Sequence, residues 1–217
     1  MEARESGPPV FISFEGIEGS GKSTVMAAVE RALRSEGREV VVTREPGGTP
    51  VGDAAREILL HKRDLAIGPL AELMLMNASR AQLVQDVIRP ALQRGAVVLS
   101  DRYMHSSLAY QGYGRGLPQG VVRAVCDAAT GRLMPDLVLL VDISYETSRA
   151  RLSQRGAAHD RMESEDEAFH RRIREGYLEI AKHDERVVRI DGERAPEEVA
   201  DAALAALSAV VDDRSEV

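Results

Sequence analysis

One cysteine in 217 residues, Cys126, leaves no partner for an intramolecular disulfide and points to a reducing compartment. It sits in an apolar-patterned stretch and reads as a small core residue. No run approaches the roughly 18 apolar residues that a membrane span needs. The first nine residues carry two glutamates and no hydrophobic segment of the kind a secretory signal contains. A cytoplasmic protein is expected. The five histidines, at 61, 105, 159, 170 and 183, form neither a zinc-binding helical pair nor a set with cysteine, which disfavours a structural metal. A formal charge of -7 and a pI near 5.4 work against a nucleic acid or an anionic membrane as partner, because both repel the chain at long range. A small charged molecule held by a local cluster stays open.

What is present suits one globular domain with at most a small insert. Five short runs rich in β-branched or aliphatic residues, at 10–14, 40–43, 96–99, 137–141 and 187–190, read as strands buried on both faces. Helical spacing fills the intervals. Val25, Ala28, Val29, Ala32 and Leu33 share one face ahead of Gly37. A longer pattern runs from 71 to 94, where Pro90 is expected to kink or shorten the last turns. A final helix follows Ala195, with Pro196 suited to its first turn. Strands alternating with helices imply an α/β fold, a parallel sheet flanked by helices. From 145 to 177, arginines interleave with acids and large apolar residues are few, so a mobile lid is expected at about 145–165. Residues 1–9 and 212–217 read as tails around a domain at 10–211.

Ligands of such sheets bind at the carboxyl ends of the strands, and here those ends are polar. The first run leads into Gly16-Ile17-Glu18-Gly19-Ser20-Gly21-Lys22-Ser23, followed by Thr24, between an expected strand and an expected helix. This spacing is that of a phosphate-binding P-loop: glycines let successive N–H groups face an anion, Lys22 reaches the β- and γ-phosphates, and Ser23 can ligate Mg²⁺. Glu18 is out of place there, since phosphates repel it, and must point elsewhere, either at a second substrate or, as a spectator, into solvent. Asp101, ending the third run, is placed to hold Mg²⁺ through water. Arg44 and Arg102 end neighbouring runs, and their fixed forks of donors suit a second phosphate. Pro46-Gly47-Gly48 gives a tight turn beside it, with the isomer of the Glu45–Pro46 bond left open.

The motifs at 14–24, 43–49 and 100–103, with Ala109-Tyr110-Gln111-Gly112 and Asp160-Arg161-Met162-Glu163, resemble those of bacterial thymidylate kinases over about residues 10 to 207. The resemblance implies a P-loop NTPase fold with a five-stranded sheet and a lid, usually as a homodimer, that phosphorylates dTMP with ATP and Mg²⁺. By position it implies that Glu18 binds the deoxyribose 3′-hydroxyl and that Arg44 and Arg102 hold the dTMP phosphate near Pro46. It places Arg80, Ser106 and Gln111 near the base edge, and Tyr110 beneath the sugar, where a ribose 2′-hydroxyl would collide. Met76 stands where a phenylalanine commonly stacks on thymine. The P-loop has Gly19 where some members have an arginine, so lid arginines are expected to meet ATP, with Arg151, Arg155 and Arg161 the candidates. A kinase for another nucleotide and a regulatory NTPase that only hydrolyses are the rival readings.

Overall fold

The computed structural model describes residues 8–62, 64–156 and 160–215, with side chains through 210. Residues 1–7 and 216–217 of the expected tails, and His159, lie outside the described residues. All five runs form strands: β1 (Val10–Glu15), β2 (Val40–Arg44), β3 (Val97–Asp101), β4 (Leu137–Asp142) and β5 (Val187–Asp191). Four strands extend onto the one polar residue after their run, and β3 starts one residue late and extends onto two, Ser100 and Asp101, because ladder pairing uses the backbone and needs no apolar side chain. The sheet is parallel throughout, in the order β2-β3-β1-β4-β5. Phe14 and Arg44 both pair with Asp101, and Asp142 pairs with Asp191, so the polar strand ends collect along one edge. There the connections switch from the β3 side of β1 to the β4 side, which opens a crevice.

The helices are α1 (Lys22–Ser35), α2 (Pro50–Arg56), α3 (Pro69–Leu83), α4 (Arg89–Gln93), α5 (Met104–Ser107), α6 (Gln119–Thr130), α7 (Tyr145–Arg155), α8 (Glu167–His183) and α9 (Pro196–Ser215). π-helical turns at Glu57–His61, Val84–Ile88 and Leu108–Gly114 extend α2, α3 and α5. Pro90 does not shorten the helical stretch. The wider turn at Val84–Ile88 places it in the first turn of α4, where its missing N–H is not needed, and helix continues to Gln93. α9 runs to Ser215, into the expected tail.

Alternation along β1 builds two of the cores. Val10, Ile12 and Phe14 pack on one face against Val25, Val29 and Leu33 of α1 and Val199, Ala203 and Leu207 of α9. Phe11 packs on the other face with Leu73, Leu83 and Ile88, and Cys126 is buried in the same cluster. Truncating a buried phenylalanine such as Phe14 to alanine costs about 3–5 kcal/mol, so the strand that carries the P-loop is anchored from both sides.

Candidate active site

The crevice holds a cavity of about 420 Å³ that runs from the P-loop to the start of α5. Gly16 has φ +138, and a Cβ there would sit 2.4 Å from the Val141 carbonyl, so only glycine lets the loop turn away from β4. Gly21, at φ +96, caps α1, and the helical pattern leaves the N–H groups of Lys22 and Ser23 without intrahelical acceptors. These amides and the α1 dipole make the loop an anion cradle. The Ser20 hydroxyl, buried and without a partner, borders the same space. Gly19 to Thr24 line the cavity, whereas Gly16 and Ile17 support it from behind with carbonyls that accept from Lys22 Nζ at 3.1 Å.

Burial, then Arg102, pushes the Lys22 ammonium down to about 8, against the pull of Asp101, Glu18 and Glu15. A bound polyphosphate would favour the charged form. MgATP affinity is therefore expected to hold below pH 8 and to fall as pH rises through that value, where the free protein loses the Lys22 proton. Calorimetry near pH 8 in two buffers of different ionisation heat is expected to register proton uptake on binding, and its absence would separate Lys22 from the phosphates.

The second half of the cavity is organised around Glu18 and Arg102. Arg102 donates to Glu18 Oε1 at 2.8 Å, to the Tyr110 hydroxyl at 2.9 Å and to the Gly16 carbonyl at 3.0 Å, and lies over the Tyr110 ring. The Tyr110 hydroxyl also donates to Glu18 Oε1, at 2.5 Å. Burial would raise the Glu18 carboxyl, but Arg102, Lys22 and Tyr110 hold it below the usual carboxylate range. Its Oε2 is buried and has no hydrogen-bond partner. Glu18 thus pairs with Arg102 and Tyr110 and keeps one oxygen to accept a hydrogen bond from another group.

Arg44, Pro46, Met76, Ser106 and Gln111 line the same cavity. Arg44 is well exposed and 3.8 Å from Asp53, and the Glu45–Pro46 bond is cis. Ser106 donates to Glu15 at 2.7 Å and Gln111 donates to Glu72 at 2.8 Å. Arg80 lines the same cavity. All its donors have protein acceptors: Nε and Nη2 at Glu45, Nη1 at Asn77 and Ser107, and Nη2 at the Tyr103 carbonyl. It forms a fixed wall, and a hydrogen bond to a base would require giving up one of these contacts.

The lid arginines separate. Arg155 borders the cavity and pairs with Glu163 at 2.7 and 3.0 Å. Arg151 reaches the carbonyls of Gly19, Ser20 and Gly192 and lines an adjoining groove with Arg194 and Pro196. Arg161 does not line the cavity: it donates to the Leu59 carbonyl at 2.6 Å and to Glu72 at 2.7 Å. In this arrangement Glu72 rather than the phosphate cradle takes its charge, and a contact with ATP would require Arg161 to leave that carboxylate.

Three residues escaped the sequence reading. Arg56 borders the cavity beside Arg44, and burial and Arg44 push its guanidinium down, as expected of a cation in a positively charged pocket. It lies in an ordinary helical pattern with no signal to mark it. Glu15, completely buried, accepts from the Tyr103 N–H, Ser106 and Tyr177. Tyr177 in turn accepts from Arg102 at 3.1 Å, far away in sequence.

Asp101 Oδ1 is buried without a partner in the same cavity as the Ser23 hydroxyl, and two hard oxygen donors beside an anion cradle fit Mg²⁺. No group of three or more His, Cys, Asp or Glu side chains suited to a metal occurs among the described residues, so the ion would share its coordination with substrate phosphates and water.

An anion cradle that opens directly onto a second cluster of fixed cations defines a P-loop enzyme moving phosphoryl groups between two small phosphorylated molecules. The thymidylate kinase family matches residues 14–203. The chain is 48% identical to a thymidylate kinase of Leifsonia xyli subsp. xyli, over 92% of this chain and 95% of that protein. It is 46% identical to one of Deinococcus radiodurans, over 92% and 96%, and 49% identical to one of Cereibacter sphaeroides, over 91% and 94%. The chain belongs to the thymidylate kinase family.

Proposed function

We propose that the chain transfers the γ-phosphoryl group of ATP to dTMP, giving dTDP and ADP. The observation that carries this reading is Glu18, a P-loop carboxylate that borders the cavity with one buried oxygen that has no hydrogen-bond partner, the His170 ring lying 4.0 Å from it. That oxygen is free to accept from a sugar 3′-hydroxyl. Arg44, Arg56 and Arg102 grip the dTMP phosphate and screen its repulsion of ATP, while Lys22 and Arg155 stabilise the charge in flight. No general base is required, because a phosphate monoester is already largely deprotonated at pH 7. Ser23 and, through water, Asp101 would hold Mg²⁺, which would supply charge neutralisation to the bound phosphates.

A regulatory NTPase would leave the Arg44, Arg56 and Arg102 cluster without a role. A homodimer in the cytoplasm completes the reading. Val51, Leu70, Met74 and Val121 are exposed on the neighbouring helices α2, α3 and α6 and offer an apolar face for a second copy. No helix among the described residues is long and apolar enough to cross a membrane.

The test is an acceptor panel with dTMP, dUMP, dCMP and the ribonucleotide of thymine. dTMP is expected to have the highest kcat/KM. In Tyr110→Ala the ratio of dTMP to its ribo analogue is expected to drop more than dTMP binding does, since the ring's assigned job is steric exclusion. An unchanged ratio would make Tyr110 purely structural, and a preference for another base would overturn the assigned acceptor.

A further inference from the structure

Glu72, on α3, is completely buried and belongs to neither phosphate site. Three side chains from two other segments converge on its carboxylate. Gln111 Nε2 donates at 2.8 Å, Arg115 Nε and Nη2 at 3.2 and 3.0 Å, and Arg161 Nη2 at 2.7 Å. Arg115 is balanced by Glu165 at 2.7 Å and lies over the Phe169 ring. The segment that carries Arg161 also carries Glu163, which holds Arg155 at the edge of the main cavity. Charge-assisted contacts therefore join Arg155 to Glu163 at one end and Arg161 to Glu72 and Gln111 at the other, with the backbone of 161–163 as the link between them. Four donors share one carboxylate, so a shift of Arg161 changes the force that orients the Gln111 amide.

We infer that Glu72 is a positioning residue that couples the nucleotide bound at the P-loop to the acceptor pocket, with Arg161 as its link. The inference rests on the proposed dTMP kinase reading. It assigns Arg161 a role on the acceptor side, where a lid arginine meeting ATP would act on the transferring phosphoryl group. Contacts made by Arg155 to bound nucleotide compete with its pairing to Glu163, and the connected segment passes that change to Glu72.

The test is calorimetric titration of dTMP into the full chain with and without a non-hydrolysable MgATP analogue. In the wild type the analogue is expected to tighten dTMP binding by roughly 5–150-fold, the usual span of coupling between sites. In Glu72→Gln and in Arg161→Gln the ratio is expected to fall to within about twofold of one, and KM for dTMP is expected to rise by roughly tenfold with a smaller change in kcat. Arg161→Lys, which keeps the charge but loses the fork, is expected to retain part of the ratio. Arg161→Gln leaves the buried Glu72–Arg115 pair intact, so it stays informative if Glu72→Gln does not fold. A merely structural role would lower the melting temperature and leave the ratio alone. A ratio retained in Arg161→Gln, or a wild-type ratio of one, overturns the inference while the kinase reading stands. A wild-type chain that does not bind dTMP overturns both.

Discussion

Lys22→Ala is expected to lower kcat by at least roughly 10³-fold while the protein stays folded. The side chain is tucked against its own loop, bonded to the carbonyls of Gly16 and Ile17, and its burial already disfavours the ammonium. Removing it relieves that cost in the free protein. The contribution lost is the one needed when negative charge builds on the phosphoryl group in flight, so kcat falls further than MgATP affinity. The check is turnover with dTMP beside a thermal melt. Near-normal turnover would take the P-loop out of the mechanism, and an unfolded variant would mean that Lys22 holds the loop together.

Arg155→Ala carries the second large effect, a loss of roughly 10²–10⁴-fold in kcat with dTMP binding little changed. The arginine is half exposed, borders the cavity and is held by Glu163, so it is oriented before substrate arrives. A loop arginine could not take its place. Gly19 has φ +74, and a Cβ there would lie 3.2 Å from the Ser148 carbonyl, which makes Gly19→Arg a strained substitution with little power to rescue Arg155→Ala. Equilibrium binding of dTMP, measured beside turnover, separates the outcomes. A variant weakened mainly in dTMP binding would move Arg155 to the acceptor side.

The sequence announced the strands and the P-loop because both are local signals: β-branched runs for one, glycine spacing followed by Lys22-Ser23 for the other. It also flagged Glu18, since a carboxylate in an anion cradle is a local contradiction. Arg56 and Tyr177 were invisible for the opposite reason, being ordinary residues of helical patterns brought to the site only by packing. Arg80 and Arg161 show a further limit. Residue type announces a fork of donors, but their acceptors, Glu45 in one case and Glu72 in the other, lie 35 and 89 residues away. Likewise the turn that absorbs Pro90 depends on how Val84 and Ile88 pack in the core below it.

The central claim is transfer to an acceptor, and following the label of γ-labelled ATP tests it most directly. With dTMP present the label is expected in dTDP, at a rate far above its release as inorganic phosphate, and without dTMP almost none is expected to move. Label released as phosphate at the same rate with and without dTMP would contradict the account and leave the chain a hydrolase with an unused arginine pocket.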